Sequence, residues 1–355
     1  MKIVKLTTLL DFGGQEKQYI SFTEDKKFLS NEYIFAAIGY GGYAEKLLKE
    51  RGFEVYVFNK NPSIRNFKNI ILLYRFFKRV KPDIVHTAAA EANFHGIIAA
   101  KLAGVKIIFG EEIGIPNHSN IAKTIFNFVY RFTKGVICVS NSVKKHLVST
   151  GEIKDKQGIV LYNPVSVPKN CNKQISDHFT LIYVGRLEKV KNVDSLIQAF
   201  AKLKEWQKIR LIIVGDGRER LMLQNLSIRL GIASNIEFQG FQSKPEKFVR
   251  QADLFVLPSY SEGFGIAAVE AMYQGVPCLC SSVGGIPELI KDNETGWLFN
   301  PENLQELVSK VEKIYQLSEN ERNIIGRKGQ EYAFTHFSNQ KYISELEQIY
   351  ERQQN

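Results

Sequence analysis

The segment Tyr183-Val184-Gly185-Arg186-Leu187, followed by Lys189, Lys191 and Asn192, puts two to three cations between the end of a strand and the start of a helix. Helix-terminal N–H groups and fixed positive charge then act on one spot, which suits a pyrophosphate. An ordinary strand–helix turn with surface lysines has the same composition, and this segment alone does not separate the two. A second segment, Ser261-Glu262-Gly263-Phe264-Gly265, follows a strand that ends at Pro258, with Glu270 eight residues after Glu262. Its glycines let backbone N–H groups converge on an anion. Glu270 falls one to two turns into a helix starting near Gly265. One carboxylate in the loop and one on the helix can each accept bonds from sugar hydroxyls. Two glutamates at this spacing are common by chance; the flanking Gly-Phe-Gly and the cationic turn give the pair its weight.

Three further loops follow strands on the same pattern. Gly215-Asp216-Gly217 resembles the start of G-x-G-x-x-G, but Arg220 stands at the third glycine position, which argues against a nicotinamide-binding fingerprint. Ser282-Val283-Gly284-Gly285-Ile286-Pro287-Glu288 is a glycine turn into a helix, and Gly13-Gly14 opens the first helix. Each, taken alone, is equally a tight turn. The sequence has no G-x-x-x-x-G-K-[ST], no G-x-S-x-G nucleophile elbow and no D-x-D pair to hold a divalent metal against a diphosphate. A diphosphate leaving here would need fixed cations, and Arg186 and Lys191 are the available ones.

These segments need a frame. The chain has 355 residues, enough for two domains, and its 44% apolar and 24% charged content is globular rather than disordered. Four cysteines without paired C-x-x-C support neither a disulfide framework nor structural zinc, and Cys278 and Cys280 read as alternate positions on a strand in a reduced, cytoplasmic protein. Met1 to Leu10 imitates a signal peptide but reads as a first strand. No apolar stretch approaches the ~18 residues of a membrane span. The formal net charge is +10, and it is uneven. Residues 1–178 hold 26 Lys+Arg against 15 Asp+Glu, a net of +11, and residues 179–355 hold 21 against 22, a net of −1. A basic half can face nucleic acid, an anionic membrane or a phosphorylated substrate, or can serve solubility alone.

Strand and helix patterns alternate almost without pause. Strands are expected at Lys2–Thr8, Glu54–Phe58, Asp83–His86, Val105–Phe109, Val136–Ser140 and Ile159–Tyr162, with helices around Glu45–Lys49 and Ile70–Val80. The Pro/Asn/Lys-rich stretch Asn163 to Asp177 reads as a linker. Alternation restarts with strands Thr180–Val184, Arg210–Val214, Asn235–Phe238, Leu254–Leu257 and Val276–Cys280. Val193, Leu196, Ile197 and Phe200 give one helix face. The residues from Asn303 onward are helical. Two such runs imply an α/β protein of two Rossmann-like domains facing across a cleft, with ligands beyond the carboxyl ends of the strands.

The ordered set of motifs resembles the retaining, nucleotide-sugar-dependent glycosyltransferases of the GT-B fold, family four (glycosyl transferases group 1). The matching elements are the V-G-R-L turn with Lys191-Asn192, the V-G-D-G loop, the E-G-F-G…E pattern, Gly284-Gly285-Ile286-Pro287-Glu288 and Glu294-Thr295-Gly296-Trp297-Leu298-Phe299. The resemblance covers most of the chain and is strongest over Leu181–Phe299. It implies that Arg186 and Lys191 bind the donor diphosphate, that Glu262 with the amides of Phe264 and Gly265 contacts donor sugar and phosphate, and that Glu270 holds the ribose. Gly13, Gly14, Gly185, Gly215 and Ile266 join the donor-binding set. It also implies an acceptor domain over residues 1–165, a donor domain over 166–337, and a last helix, about 338–355, crossing back to the first. The first half departs from the family pattern. His86-Thr87-Ala88 stands where H-x-H is common, and Ile113 occupies a histidine position in Glu111-Glu112-Ile113-Gly114. His86, His95, His118 and Glu112 are then candidates to touch acceptor or donor sugar, each with a structural role as its alternative.

The expected function is transfer of a sugar from a nucleotide diphosphate donor, a UDP-sugar, to a hydroxyl of a lipid-linked or surface-polysaccharide acceptor. The resemblance implies retention, no metal and no cofactor, with same-face attack assisted by the leaving phosphate. The expected partners are the nucleotide-sugar, a glycan or lipid-linked acceptor and an anionic membrane surface at the inner face of the cell membrane. Two rivals are a nucleotide-sugar epimerase of the same fold and a basic nucleic-acid-binding protein; the latter lacks a recognition motif and interleaved aromatic platforms.

Overall fold

The computed structural model describes residues 1–167 and 178–353. The chain forms two compact units, Met1–Ser166 with Phe337–Asn355, and Val167–His336. The stretch read as a linker is described only up to Val167, and its residues 168–177 lie outside the described residues.

In the first unit the strands are β1 (Lys2–Thr7), β2 (Glu32–Ala37), β3 (Glu54–Val57), β4 (Ile84–Ala88), β5 (Ile107–Glu112), β6 (Gly135–Cys138) and β7 (Gly158–Val160). They alternate with α1 (Gly14–Phe22), α2 (Tyr43–Glu50), α3 (Lys68–Val80), α4 (Ala90–Ala103), α5 (Asn120–Tyr130) and α6 (Asn141–Ser149). All pair in parallel in the order β3-β2-β1-β4-β5-β6-β7. The order reverses beside β1, so the loops after β1 and β4 diverge at a switch point. Right-handed crossovers send α1 and α2 to one face of the sheet, and α3, α4 and α5 to the other, side by side. The sequence pattern passes over β2. Its run Tyr33–Ala37 is buried throughout, so it lacks the period-two alternation of a half-exposed strand.

In the second unit, β8 (Phe179–Val184), β9 (Ile209–Val214), β10 (Ile236–Gly240), β11 (Leu254–Leu257), β12 (Cys278–Ser281) and β13 (Trp297–Phe299) form a parallel sheet in the order β10-β9-β8-β11-β12-β13. Its helices are α7 (Val193–Lys202), α8 (Arg220–Arg229), α9 (Glu246–Val249), α10 (Ile266–Tyr273), α11 (Ile286–Leu289), α12 (Leu304–Gln316) and α13 (Glu319–His336). Val193, Leu196, Ile197 and Phe200 are all buried, as the periodicity of α7 requires. Cys278 and Cys280 are buried free thiols on β12. The two sheets with their helices are two Rossmann-like halves.

The last helix, α14 (Asn339–Glu351), belongs to the first unit. Ser338 caps it by accepting from the Lys341 N–H. Tyr342, Ile343, Leu346 and Tyr350 are buried with Tyr19, Phe22, Phe35 and Phe109. Each side chain buried in this way contributes about 1.5–3 kcal/mol, so α14 is an integral wall of that core.

Candidate active site

The loops after β8, β9, β11 and β12 leave the same edge of the second sheet and are fastened to one another. Gly185 N–H donates to Val214 O at 3.0 Å, and Gly215 N–H donates to Gly240 O at 2.8 Å. Gly215 has φ +144°, and a Cβ there would lie 1.8 Å from Gly185 O, so the two turns touch backbone to backbone. Both amides are engaged within the protein, so what Gly185 and Gly215 offer at this edge is close approach of backbone rather than a free N–H.

The cationic turn ends in Asn192, a buried residue at φ +55° that starts α7. Its Nδ2 donates to Pro258 O at 3.0 Å, and Tyr260 N–H donates to Val190 O at 2.9 Å. The turn is thereby clamped to the loop after β11. Across that clamp Lys191 Nζ donates to Glu262 Oε1 at 2.6 Å. Ser259 Oγ donates to the same oxygen at 2.8 Å, and Ser281 Oγ on β12 holds Ser259 O at 2.6 Å. Gly285 N–H donates to Glu262 O at 3.1 Å, which ties in the Gly284-Gly285 turn. Arg186 is exposed on the same turn, where its carbonyl accepts from Tyr183 Oη. Gly265, at φ +111°, starts α10 where a Cβ would meet Ile286 Cδ1 at 2.5 Å. The Phe264 ring is buried, so that residue can offer a ligand only its backbone. Ile266 is the first residue of α10, and Glu270 is half-buried one turn further on. The edge thus carries two cations, one carboxylate already engaged with a cation, and a helix N-terminus. That set can hold an anion and a hydroxylated ligand.

In the first unit Gly13 and Gly14 start α1 as expected, with Gly13 in extended backbone. The histidine candidates are placed differently. His86 on β4 is fully buried: its Nδ1 is 2.5 Å from Tyr350 Oη, and its Nε2 is 3.0 Å from Glu111 Oε2 without hydrogen-bond alignment. Burial and the charge of Lys5 push its pKa down to about 4, so it is neutral. His95 is buried with Nε2 3.1 Å from Ser63 O, and burial lowers its pKa. The expectation that His86 and His95 touch a sugar is corrected: both rings face the interior. Glu112 is also buried. It accepts from Asn93 Nδ2 at 3.1 Å and from Tyr130 Oη, and burial raises its pKa to about 7. His118 remains partly exposed, stacked on Phe126 at 4.5 Å, with Nδ1 2.9 Å from Glu152 Oε2; that bond raises its pKa.

Sequence reasoning missed the polar network behind these residues. Lys5 on β1 is fully buried, its Nζ over the Tyr19 and Phe22 rings and 3.5 Å from Tyr342 Oη. Desolvation pushes its pKa down to about 8, against the pull of Glu111. Burial alone would raise the Glu111 carboxyl, but the charge of Lys5 holds it below the ordinary value. Gln18 Nε2 reaches Glu111, Asn163 Oδ1 at 3.0 Å and Tyr342 Oη at 3.3 Å. A lysine interrupting the apolar run of β1 was the one available signal. Gln18 and Tyr342 are 324 residues apart, and nothing local pairs them.

Among the described residues no cluster of three or more His, Cys, Asp or Glu is placed to hold a metal ion. No helix among them is long and apolar enough to cross a membrane.

Residues 169–332 match the family Glycosyl transferases group 1, and residues 33–168 match Glycosyltransferase Family 4. N-acetyl-alpha-D-glucosaminyl L-malate synthase of Bacillus anthracis is 34% identical over 170 residues, 48% of this chain and 44% of that protein. The chain thus matches less than half of that relative's length. The UDP-Gal:alpha-D-GlcNAc-diphosphoundecaprenol alpha-1,3-galactosyltransferase of Escherichia coli is 26% identical over 325 residues, 84% of this chain and 83% of that protein. A crystal structure of Anabaena HepE in complex with UDP and glucose superposes with a TM-score of 0.86 at 21% identity, covering 99% of this chain and all of that one, which is a likeness of fold.

Proposed function

The chain belongs to the glycosyl transferases group 1 family, and from that premise we propose that it transfers a sugar from a UDP-sugar to a hydroxyl of a lipid-linked or surface-polysaccharide acceptor, with retention and without metal. The observation that carries the reading is the clamped junction in the second unit, where Lys191, Glu262 and the exposed Arg186 share one edge with the N-terminus of α10. Arg186 and Lys191 take the diphosphate. Their charge counts for most as the sugar–phosphate bond breaks and negative charge grows on the leaving group. Glu262 and the Gly265 amide meet the sugar and phosphate, and Glu270 takes the ribose. Attack comes from the face the phosphate leaves, with that phosphate assisting, so no protein nucleophile is assigned. The protein's part is orientation and charge stabilisation.

The galactosyltransferase relative, whose name gives a UDP-sugar donor and a diphosphoundecaprenol-linked acceptor, and the UDP and glucose bound to HepE support the choice of donor and acceptor class. The absence of D-x-D from the sequence supports metal independence. The test is a thermal-stabilisation screen of nucleotide sugars, since a ligand at ~100 times its dissociation constant adds ~2.7 kcal/mol. A product assay with the stabilising donor follows. Transfer only when acceptor is present fits the proposal. Conversion of the donor sugar without acceptor would make the protein an epimerase, and no stabilisation by any nucleotide sugar would remove the donor site.

A further inference from the structure

Between Glu54 and Asp83 the chain has seven Lys or Arg and no Asp or Glu, and between Glu112 and Glu152 it has five and none. These stretches contain α3 and α5, which flank α4 on one face of the first unit's sheet. The outer side of that layer is also apolar. Phe67 and Ile71 at α3, Leu102 on α4, and Ile121 and Phe128 on α5 are each more than half exposed. Ile71 lies one helical turn from Phe67 and one from Arg75, with Lys78 next on the same face of α3, and all four are exposed. On α5, Ile121, Ile125 and Phe128 repeat that spacing.

Cations in the last turn of a helix complement its dipole, which accounts for Lys78 and Arg79. It does not account for Lys68, which lies in the first turn of α3, or for the lack of any acidic residue in the first turns of α3 and α5. Nor does solubility account for large apolar side chains on the same face. Single exposed apolar residues are ordinary. Five of them on three adjacent helices form the combination that enters a lipid interface: α3 and α5 carry no acidic residue, and the one on α4, Glu91, is partly buried and accepts from Thr8 Oγ1 at 3.2 Å.

We infer that the outer face of α3, α4 and α5 docks on an anionic lipid bilayer. The lysines and arginines meet the headgroup phosphates, and Phe67, Ile71, Ile121 and Phe128 enter the boundary with the acyl chains. This gives the lipid-linked acceptor of the proposed function a surface on which to be met and rests on that reading for its purpose; the docking itself requires no turnover.

The test is sedimentation of the full chain with vesicles of phosphatidylcholine alone and of an equal mixture with phosphatidylglycerol. Wild type is expected to bind the mixed vesicles and to be released by salt. Each cation near an anionic surface strengthens binding roughly fivefold. Arg75→Gln with Lys78→Gln should therefore weaken binding on the order of twentyfold, and Phe67→Ser with Ile71→Ser should weaken it without removing charge. Thermal stabilisation by UDP, read on the same preparations, should match wild type, because none of the four residues lies in the second unit. Equal binding to both vesicle types, or binding unchanged in both double variants, overturns the inference. So does tight binding to RNA with none to mixed vesicles, which would make the face a nucleic-acid surface. Vesicle binding without UDP stabilisation would leave the docking face standing and remove the donor site instead.

Discussion

Lys191 and Glu262, 71 residues apart in sequence, form an ion pair of 2.6 Å in which only 18% of the lysine side chain and 11% of the glutamate side chain is exposed. A diphosphate that approaches Lys191 must share it with that carboxylate. Removing either partner leaves the other partly buried and uncompensated, so neither residue acts alone.

Lys191→Ala and Arg186→Ala should chiefly lower kcat, by ~10²–10³, as expected for groups facing charge that grows in the transition state. Glu270→Gln should chiefly raise donor KM, because the ribose proposed to lie against it is unchanged during the reaction. Saturating-donor kinetics on the folded variants reads the difference. Near wild-type kcat in both cation variants would show that the charge stabilisers lie elsewhere.

The ion pair adds a sharper expectation. In Lys191→Ala the unpaired Glu262 carboxylate repels the donor phosphates, so Lys191→Ala with Glu262→Gln should lose less activity than the two single changes multiplied together. The readout is a double-mutant cycle on kcat/KM. Strict additivity would mean that the 2.6 Å contact does not persist in the working enzyme.

With fixed cations at the proposed diphosphate site, turnover should survive chelation. Activity measured after EDTA treatment should match the untreated enzyme. Near-complete loss that Mg²⁺ or Mn²⁺ restores would overturn the metal-independent reading.

The second unit was legible for a local reason. Its chemistry-bearing loops are short connections between strongly patterned strands and helices, so Gly185, Glu262 and Gly265 could be placed from the residues around them. The linkage between those loops was not legible, because the bonds of Asn192 to Pro258 O and Ser281 to Ser259 O join separate strand ends. Boundaries moved by a residue or two: the strand expected at Asp83–His86 runs Ile84–Ala88. The first unit misled more. A histidine at a strand end reads the same whether it faces a ligand or a buried partner. His86 faces Tyr350 of α14, a partner 264 residues away.

Gly215→Ala tests the backbone contact between the loops after β8 and β9. A methyl group there meets a carbonyl oxygen at 1.8 Å in a positive-φ conformation, and neither atom is the end of a flexible side chain. Strain of this kind costs about 1–3 kcal/mol, with displacement of the Gly185 turn in addition. Urea unfolding should show that loss, and UDP stabilisation should fall because Arg186 moves with the turn. Wild-type stability and UDP response together would show that the two loops separate freely.

Glu112 makes stability depend on pH with a definite sign. Its ordinary pKa of 4.5 is raised to about 7 in the folded chain, chiefly by burial. Below its unfolded pKa the carboxyl is protonated in both states, and the bonds from Tyr130 and Asn93 are kept without burying charge. As pH rises through 7, the folded state must lose that proton inside the core, and the unfolded state has already lost it at no cost. The contribution is therefore full below the unfolded pKa and is lost as pH rises through the folded one. Its size is about 3 kcal/mol. Glu112→Gln keeps an acceptor for Tyr130 and Asn93 and carries no charge at any pH. The variant should be close to wild type at about pH 4 and more stable by up to that amount at about pH 8. His86 shifts in the opposite sense, but it is present in both proteins and cancels in the difference. Urea unfolding of both proteins across this range gives the two slopes. Parallel slopes would mean that Glu112 is solvated in the folded chain and that the burial argument fails.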